Sequence, residues 1–189
     1  MLFRSSQPRY LAFANNEHDV LFNAPLDFAN LIAPDGRLAP HLARRSIGLH
    51  RVMAADVTMA IYNMEDPVVG GYTPERVALR RAINLATDVE KEIRLVRRRQ
   101  AIVAQSPFMP QTYGYDPRYR SEMGEFNLAR ARALLDLFGY VDRDGDGWRE
   151  QPDGSPLVLE IATETSQLDR AFNELWKRQL DALNIRVDF

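Results

Sequence analysis

Apolar residues recur at helical spacing in four stretches of the chain, and concentrate or alternate as strands do in three others. The first helical stretch follows Thr73, with Val77, Ala78, Ala82, Ile83 and Leu85 on one face. Thr73 suits an N-cap, Pro74 the first helical position and Glu75 the positive end of the helix dipole. Thr87-Asp88-Val89-Glu90 has capping-box spacing and predicts a second helix running toward Arg99. A third helix is predicted after Asn127, with Ala131, Leu134, Leu135 and Phe138 on its face and Gly139 as a left-handed stop. The fourth covers 167–183, with Leu168, Phe172, Leu175, Trp176, Leu180 and Leu183 at core spacing and Asn184 ending it. Strands are predicted at 57–62 and 157–162 from their β-branched and apolar content, and at 185–189, where Ile185, Val187 and Phe189 alternate with polar residues.

Between these elements lie turn signals. Apolar runs at 10–14 and 20–22 are split by polar residues 15–19; Pro34 and Asp35-Gly36 mark a turn, and 38–45 reads as one or two helical turns. Asp66-Pro67 and Gly70-Gly71 break the chain before Thr73, and three prolines make 105–119 irregular. Residues 142–154 form a Gly/Asp-rich loop. The mixture of helices and strands predicts an α/β fold. The chain stops inside its last predicted strand, at Phe189, which we read as the mark of a fragment.

Composition narrows the class. The chain has 189 residues, 46% of them hydrophobic and 26% charged, which disfavours disorder and fibrous repeats and suits one large domain or two small ones. A net charge of −2 gives no long-range attraction to nucleic acid or acidic lipid, and no nucleic-acid partner is expected. With no Cys, disulfides and Cys-ligated zinc are excluded. Residues 1–9 lack the apolar run of a signal peptide, and no stretch approaches the ~20 apolar residues of a membrane span.

The sharpest local motif is Asp142-Arg143-Asp144-Gly145-Asp146-Gly147-Trp148-Arg149-Glu150-Gln151-Pro152-Asp153. Its opening has the D-x-D-x-D-G spacing of calcium loops, in which alternate carboxylates converge on a cation that takes six to eight oxygens. In that reading Asp142, Asp144 and Asp146 are direct ligands, Trp148 offers its carbonyl, Glu150 acts through water and Asp153 occupies the bidentate position. Glu is usual there, and a strand rather than a second helix follows, so the motif is no EF-hand. The alternative is a helix-to-strand connection whose Asp side chains make Asx turns. Calcium is the one cofactor this sequence suggests.

Other candidates carry less. Arg94, Arg97, Arg98 and Arg99 read as a solvated helix end balanced by Glu90 and Glu92. His18, His41 and His50 are scattered, and no serine sits in a G-x-S-x-G elbow. Phe108, Tyr113, Tyr115 and Tyr119 either line a ligand cleft or pin a long loop onto its own domain. No catalytic constellation assembles, and no enzymatic activity is expected.

From Ile61 onward the order of features resembles one family. The stretch Tyr62-Asn63-Met64-Glu65-Asp66-Pro67 is followed by the helix Val77-Ala78-Leu79-Arg80-Arg81-Ala82-Ile83-Asn84-Leu85-Ala86-Thr87-Asp88. Ser106-Pro107-Phe108-Met109-Pro110, the A-x-x-L-L-x-x-x-G-Y pattern over 131–140, the Asp/Gly loop with its Trp148-Arg149-Glu150, and Leu183-Asn184-Ile185-Arg186-Val187 come in the same order. Together they resemble the bacterial extracellular solute-binding proteins of family 5, the dipeptide and oligopeptide binders of ABC transporters. Asn16-Glu17-His18-Asp19-Val20 matches a turn of that family more weakly, and Arg99 and Asn184 stand where the family often has Gly.

The resemblance implies part of one lobe of a two-lobed, type II periplasmic-binding-protein-like fold. Residues 1–189 are then a single α/β lobe fragment, with 1–60 near the lobe boundary and 61–189 the main family-like region. The full-length protein would be periplasmic or extracellular, would capture a peptide or other small solute non-covalently between its lobes, and would deliver it to the membrane permease of an ABC transporter. The family's residue that holds a peptide's amino group lies downstream of Phe189, so no ligand-binding residue carries over. The competing reading is a small stand-alone calcium-stabilised interaction module, and the intact mass of the natural protein separates the two.

Overall fold

All four amphipathic stretches fold as helices, and two of the three strand-like stretches fold as strands. The computed structural model describes residues 6–189. Contacts divide the chain into two units: residues up to Ala54 together with Ile93–Ile102, and Ala55–Glu92 together with Val103–Phe189. Residues 61–189, expected as the main region, thus fall in the second unit apart from Ile93–Ile102.

The first unit contains α1 (Ser6–Ala14), α2 (Ala29–Ile32) and α3 (Pro40–Ala43). The expected turn is a 3-10 turn at Pro34–Gly36, where Asp35 and Gly36 both adopt positive φ. Tyr10, Ile32, Ala39 and Leu42 form the core, and Tyr10 stacks on Phe28 with ring centroids 4.5 Å apart. Arg45 donates to the Ala14 carbonyl at 2.7 Å and to Asn16 Oδ1 at 2.6 Å, fixing the chain where it leaves α1. Of the apolar run 20–22, Leu21 packs on this core while Val20 and Phe22 are exposed.

The second unit is built on α4 (Pro74–Ala86), α6 (Leu128–Leu137) and a β1–α7–β2 arrangement; α5 (Val89–Leu95) runs across the division between the units. β1 (Val158–Glu160) and β2 (Arg186–Asp188) pair in parallel, with Val158 opposite Arg186 and Leu159 opposite Val187. A parallel pair needs a crossover, and α7 (Gln167–Asp181) supplies it. Leu79 and Ala82 of α4, Ala131 and Leu135 of α6, and Leu157, Leu183 and Ile185 around the strands are fully buried together. Asn127 caps α6 by accepting from the Arg130 amide at 3.0 Å, and Gly139 follows that helix at a φ of 81°. Asn184 takes a φ of 60° beyond α7, as expected of a residue tolerant of the left-handed region.

Several local expectations need correction. The buried face of α4 comprises Ala78, Leu79, Ala82, Leu85 and Ala86, so it is rotated away from Val77, which is 37% exposed. Thr73 holds the N-cap position without a side-chain capping bond. At α5 the cap is Asp88, whose Oδ1 accepts from the Lys91 amide at 2.9 Å, because Thr87 donates its hydroxyl backward to the Ile83 carbonyl. That helix ends at Leu95, short of Arg99; Arg98 and Arg99 both take positive φ, which cannot continue a right-handed helix. Residues 57–62 form no strand among the described residues. Their β propensity finds no ladder partner, and Met59 and Ile61 face solvent. No helix of the described residues is long and apolar enough to cross a membrane.

Candidate functional site

The acidic loop begins where Gly139 ends α6 and closes where Glu150 bridges Pro156 in antiparallel fashion just before β1. Asp142 accepts from the Gly145 amide at 2.7 Å and from the Gly147 amide at 2.9 Å. Asp144 accepts from the Asp146 amide at 3.0 Å, and Asp146 from the Trp148 amide at 2.8 Å. These bonds wind the backbone so that successive carboxylates turn toward one point. Gly145 and Gly147 make the winding possible, since both need positive φ, 81° and 89°.

One carboxylate oxygen from each of Asp142, Asp144, Asp146 and Glu150 lies within 4.8 Å of the others. The three Asp residues are exposed, whereas Glu150 is buried and accepts from the Arg143 amide at 2.7 Å. The structure therefore brings together four of the six anticipated ligands. Trp148 gives its amide to Asp146, and its ring lies 5.6 Å beneath the Arg186 guanidinium, which also pairs with Asp146. Asp153 does not join the group. It sits in the following turn, where it accepts from the Ser155 amide at 2.9 Å and hydroxyl at 2.7 Å, and these bonds hold its carboxyl below the ordinary carboxylate range. Its twelfth-position spacing is that of a calcium loop that runs on to its last ligand; the bridge from Glu150 to Pro156 instead folds the chain back three residues earlier. The donor set is all oxygen, as a hard cation requires. The same bonds also describe the Asx-turn alternative.

Sequence reasoning missed two arginines that organise this unit. Arg149, its side chain only 11% exposed, donates to the Leu183 carbonyl at 2.8 Å, to the Tyr140 carbonyl and to Asp136 Oδ1 at 2.5 Å. It thus ties together the two segments that follow α6 and α7, close to C-terminal helix ends where a cation is favourable. Arg80 performs the same task for residues 63–71, donating to the carbonyls of Val69 and Gly71 at 2.5 and 2.9 Å. In that loop Asp66 accepts from the amides of Val68 and Val69, both at 2.8 Å. A Cβ on Gly70 would meet the Asp66 carbonyl and lie 2.5 Å from that of Met64, so only glycine fits. Tyr62 donates to Asn84 Oδ1 at 3.1 Å and to the Arg80 carbonyl at 3.3 Å; burial raises its hydroxyl well above the ordinary value, against a smaller lowering by Arg80. The Asp66-Pro67 and Gly70-Gly71 turn signals are the hints in the sequence that this loop is tightly held.

The remaining candidates do not converge. No His joins a group of potential metal ligands among the described residues. Phe108, Tyr115 and Tyr119 are exposed and Tyr113 is wholly so. They do not pin their loop onto the core.

A parallel βαβ pair packed on two antecedent helices places the second unit in the α/β class, and its relatives specify which kind. The family model described as bacterial extracellular solute-binding proteins, family 5, middle region, matches residues 2–189. The chain belongs to that family, and the match reaches back to residue 2, through the stretch where its own motifs are weakest. Among curated proteins none matches. Among solved structures it is similar to the oligopeptide-binding protein AppA of Bacillus subtilis, in complex with a nonapeptide, at 22% identity and a TM-score of 0.57 over 67% of this chain and 24% of that one. It is also similar to a periplasmic oligopeptide-binding protein of an ABC transporter from Thermotoga maritima, at 24% identity and a TM-score of 0.53 over 64% of this chain and 24% of that one. An oligopeptide-binding protein OppA gives 25% identity and a TM-score of 0.53 over 66% of this chain and 19% of that one. The chain spans about a quarter of the length of the first two of these structures. Its fold is an α/β part of the type II periplasmic-binding-protein fold.

Proposed function

We propose that this chain is part of the substrate-binding component of an ABC importer that captures a peptide-like solute without covalent chemistry. The observation that carries this reading is the family match over residues 2–189. Oligopeptide-binding proteins among the structures that share the fold support a peptide-like solute as the one to test first. In the full-length protein two lobes close on the solute, outside the cytoplasmic membrane, and a membrane permease receives it. Lobe closure excludes water and strengthens every polar contact to the peptide backbone, which is how such a receptor binds without a reactive group. The residues of this chain act as an α/β scaffold of one lobe and are assigned no ligand contact. Titration calorimetry of the full-length protein with a mixed oligopeptide library is expected to show saturable heat. Submicromolar capture of a peptide by the 189-residue chain alone would overturn the two-lobe reading.

Within this reading the loop around Asp142, Asp144, Asp146 and Glu150 holds calcium as a structural clip. Its all-oxygen donor set and the single buried carboxylate support that assignment. A divalent cation there would take over the role that the Arg186 guanidinium plays toward Asp146.

A further inference from the structure

We draw no further inference here: the strongest candidate, the cavity of about 290 Å³ lined by Arg81, Asn84, Leu85, Glu122, Glu125 and Arg130 beside α4, carries nothing because its charged groups pair with one another on the exposed surface, Arg81 with Glu122 at 3.5 Å and Arg130 with Glu125 at 2.8 Å, and nothing among the described residues points to a ligand in it.

Discussion

Replacing Arg149 by Ala tests the packing argument most directly. The side chain is 11% exposed and makes three charge-assisted bonds, to the Leu183 and Tyr140 carbonyls and to Asp136. Their contributions are unequal. Asp136 is 58% exposed, so water replaces the guanidinium there and the ion pair itself contributes less than ~1 kcal/mol. The two carbonyls belong to the residues that follow α6 and α7, Tyr140 and Leu183, which are themselves buried in the core with Leu135. Leaving such acceptors unpaired costs about 1–3 kcal/mol each, less whatever water recovers. We therefore expect Arg149→Ala to lower unfolding free energy by about 2–4 kcal/mol, and Asp136→Asn by less than about 1 kcal/mol. Urea denaturation followed by tryptophan fluorescence measures both, with Arg149→Lys recovering part of the loss because an ammonium reaches fewer carbonyls than the planar fork. If Asp136→Asn costs as much as Arg149→Ala, the ion pair rather than the Tyr140 and Leu183 carbonyls is the source, and the reasoning fails.

Three further outcomes follow from the same structure. Burial raises the Tyr62 and Tyr140 hydroxyls, so folding favours the neutral phenols; this contribution is complete below about pH 10 and is lost as pH climbs through the higher folded values. Tyr62→Phe should cost about 0.5–1.5 kcal/mol at neutral pH through its lost hydrogen bonds, and the gap to wild type should shrink above about pH 10; a gap that stays constant in urea titrations at both pH values contradicts the assignment. Leu175 of α7 is 6% exposed, and Leu175→Ala should cost about 2–5 kcal/mol by chemical denaturation, a change under ~0.5 kcal/mol showing that the helix face is misassigned. Calcium at ten times its Kd should stabilise the chain by about 1.4 kcal/mol, which scanning calorimetry reads as a rise in Tm of roughly 3–6 °C, reversed by a chelator and abolished by Asp144→Asn with Asp146→Asn; an unchanged Tm at millimolar calcium removes the structural-clip assignment.

How legible each element was depends on how local its causes are. Asn127, Gly139 and Asn184 were readable because caps and left-handed stops are decided within a few residues. The α7 face was readable because Phe172, Leu175, Leu180 and Leu183 bury one side of a helix with strong periodicity. The strand expected at 57–62 failed for the converse reason: β propensity states only that a segment fits a ladder, and the partner strand must come from elsewhere. The cap at Asp88 rather than Thr87 was a contest between two acceptable residues, decided by the Ile83 carbonyl one turn back. In the acidic loop the D-x-D-x-D-G spacing marks Asp142, Asp144 and Asp146; Glu150 and Asp153 come from the later positions of a twelve-residue calcium loop, and only Glu150 joins the cluster. The bridge from Glu150 to Pro156 is a local turn pairing that the calcium-loop spacing does not contain. Arg149 and Arg80 were illegible because their partners are backbone carbonyls, which every sequence has at every position.

That last point bears on function. The polar side chains that converge in the second unit are engaged with its own backbone: Arg149 with the segments that follow α6 and α7, Arg80 with the loop before α4, Asp66 with two amides, Asp142 with two more. Each of these bonds shapes a loop rather than waiting for a solute; the carboxylates of the acidic loop also converge with one another, on a point that suits a cation and not a peptide. Recognition of an extended peptide needs the opposite, namely donors and acceptors held in place yet unsatisfied until the solute arrives. A scaffold that satisfies its own backbone so completely can position a wall of a cleft without supplying the cleft's chemistry. The aromatic residues of the proline-rich loop show the difference: Phe108, Tyr113 and Tyr119 are presented to solvent rather than packed inward.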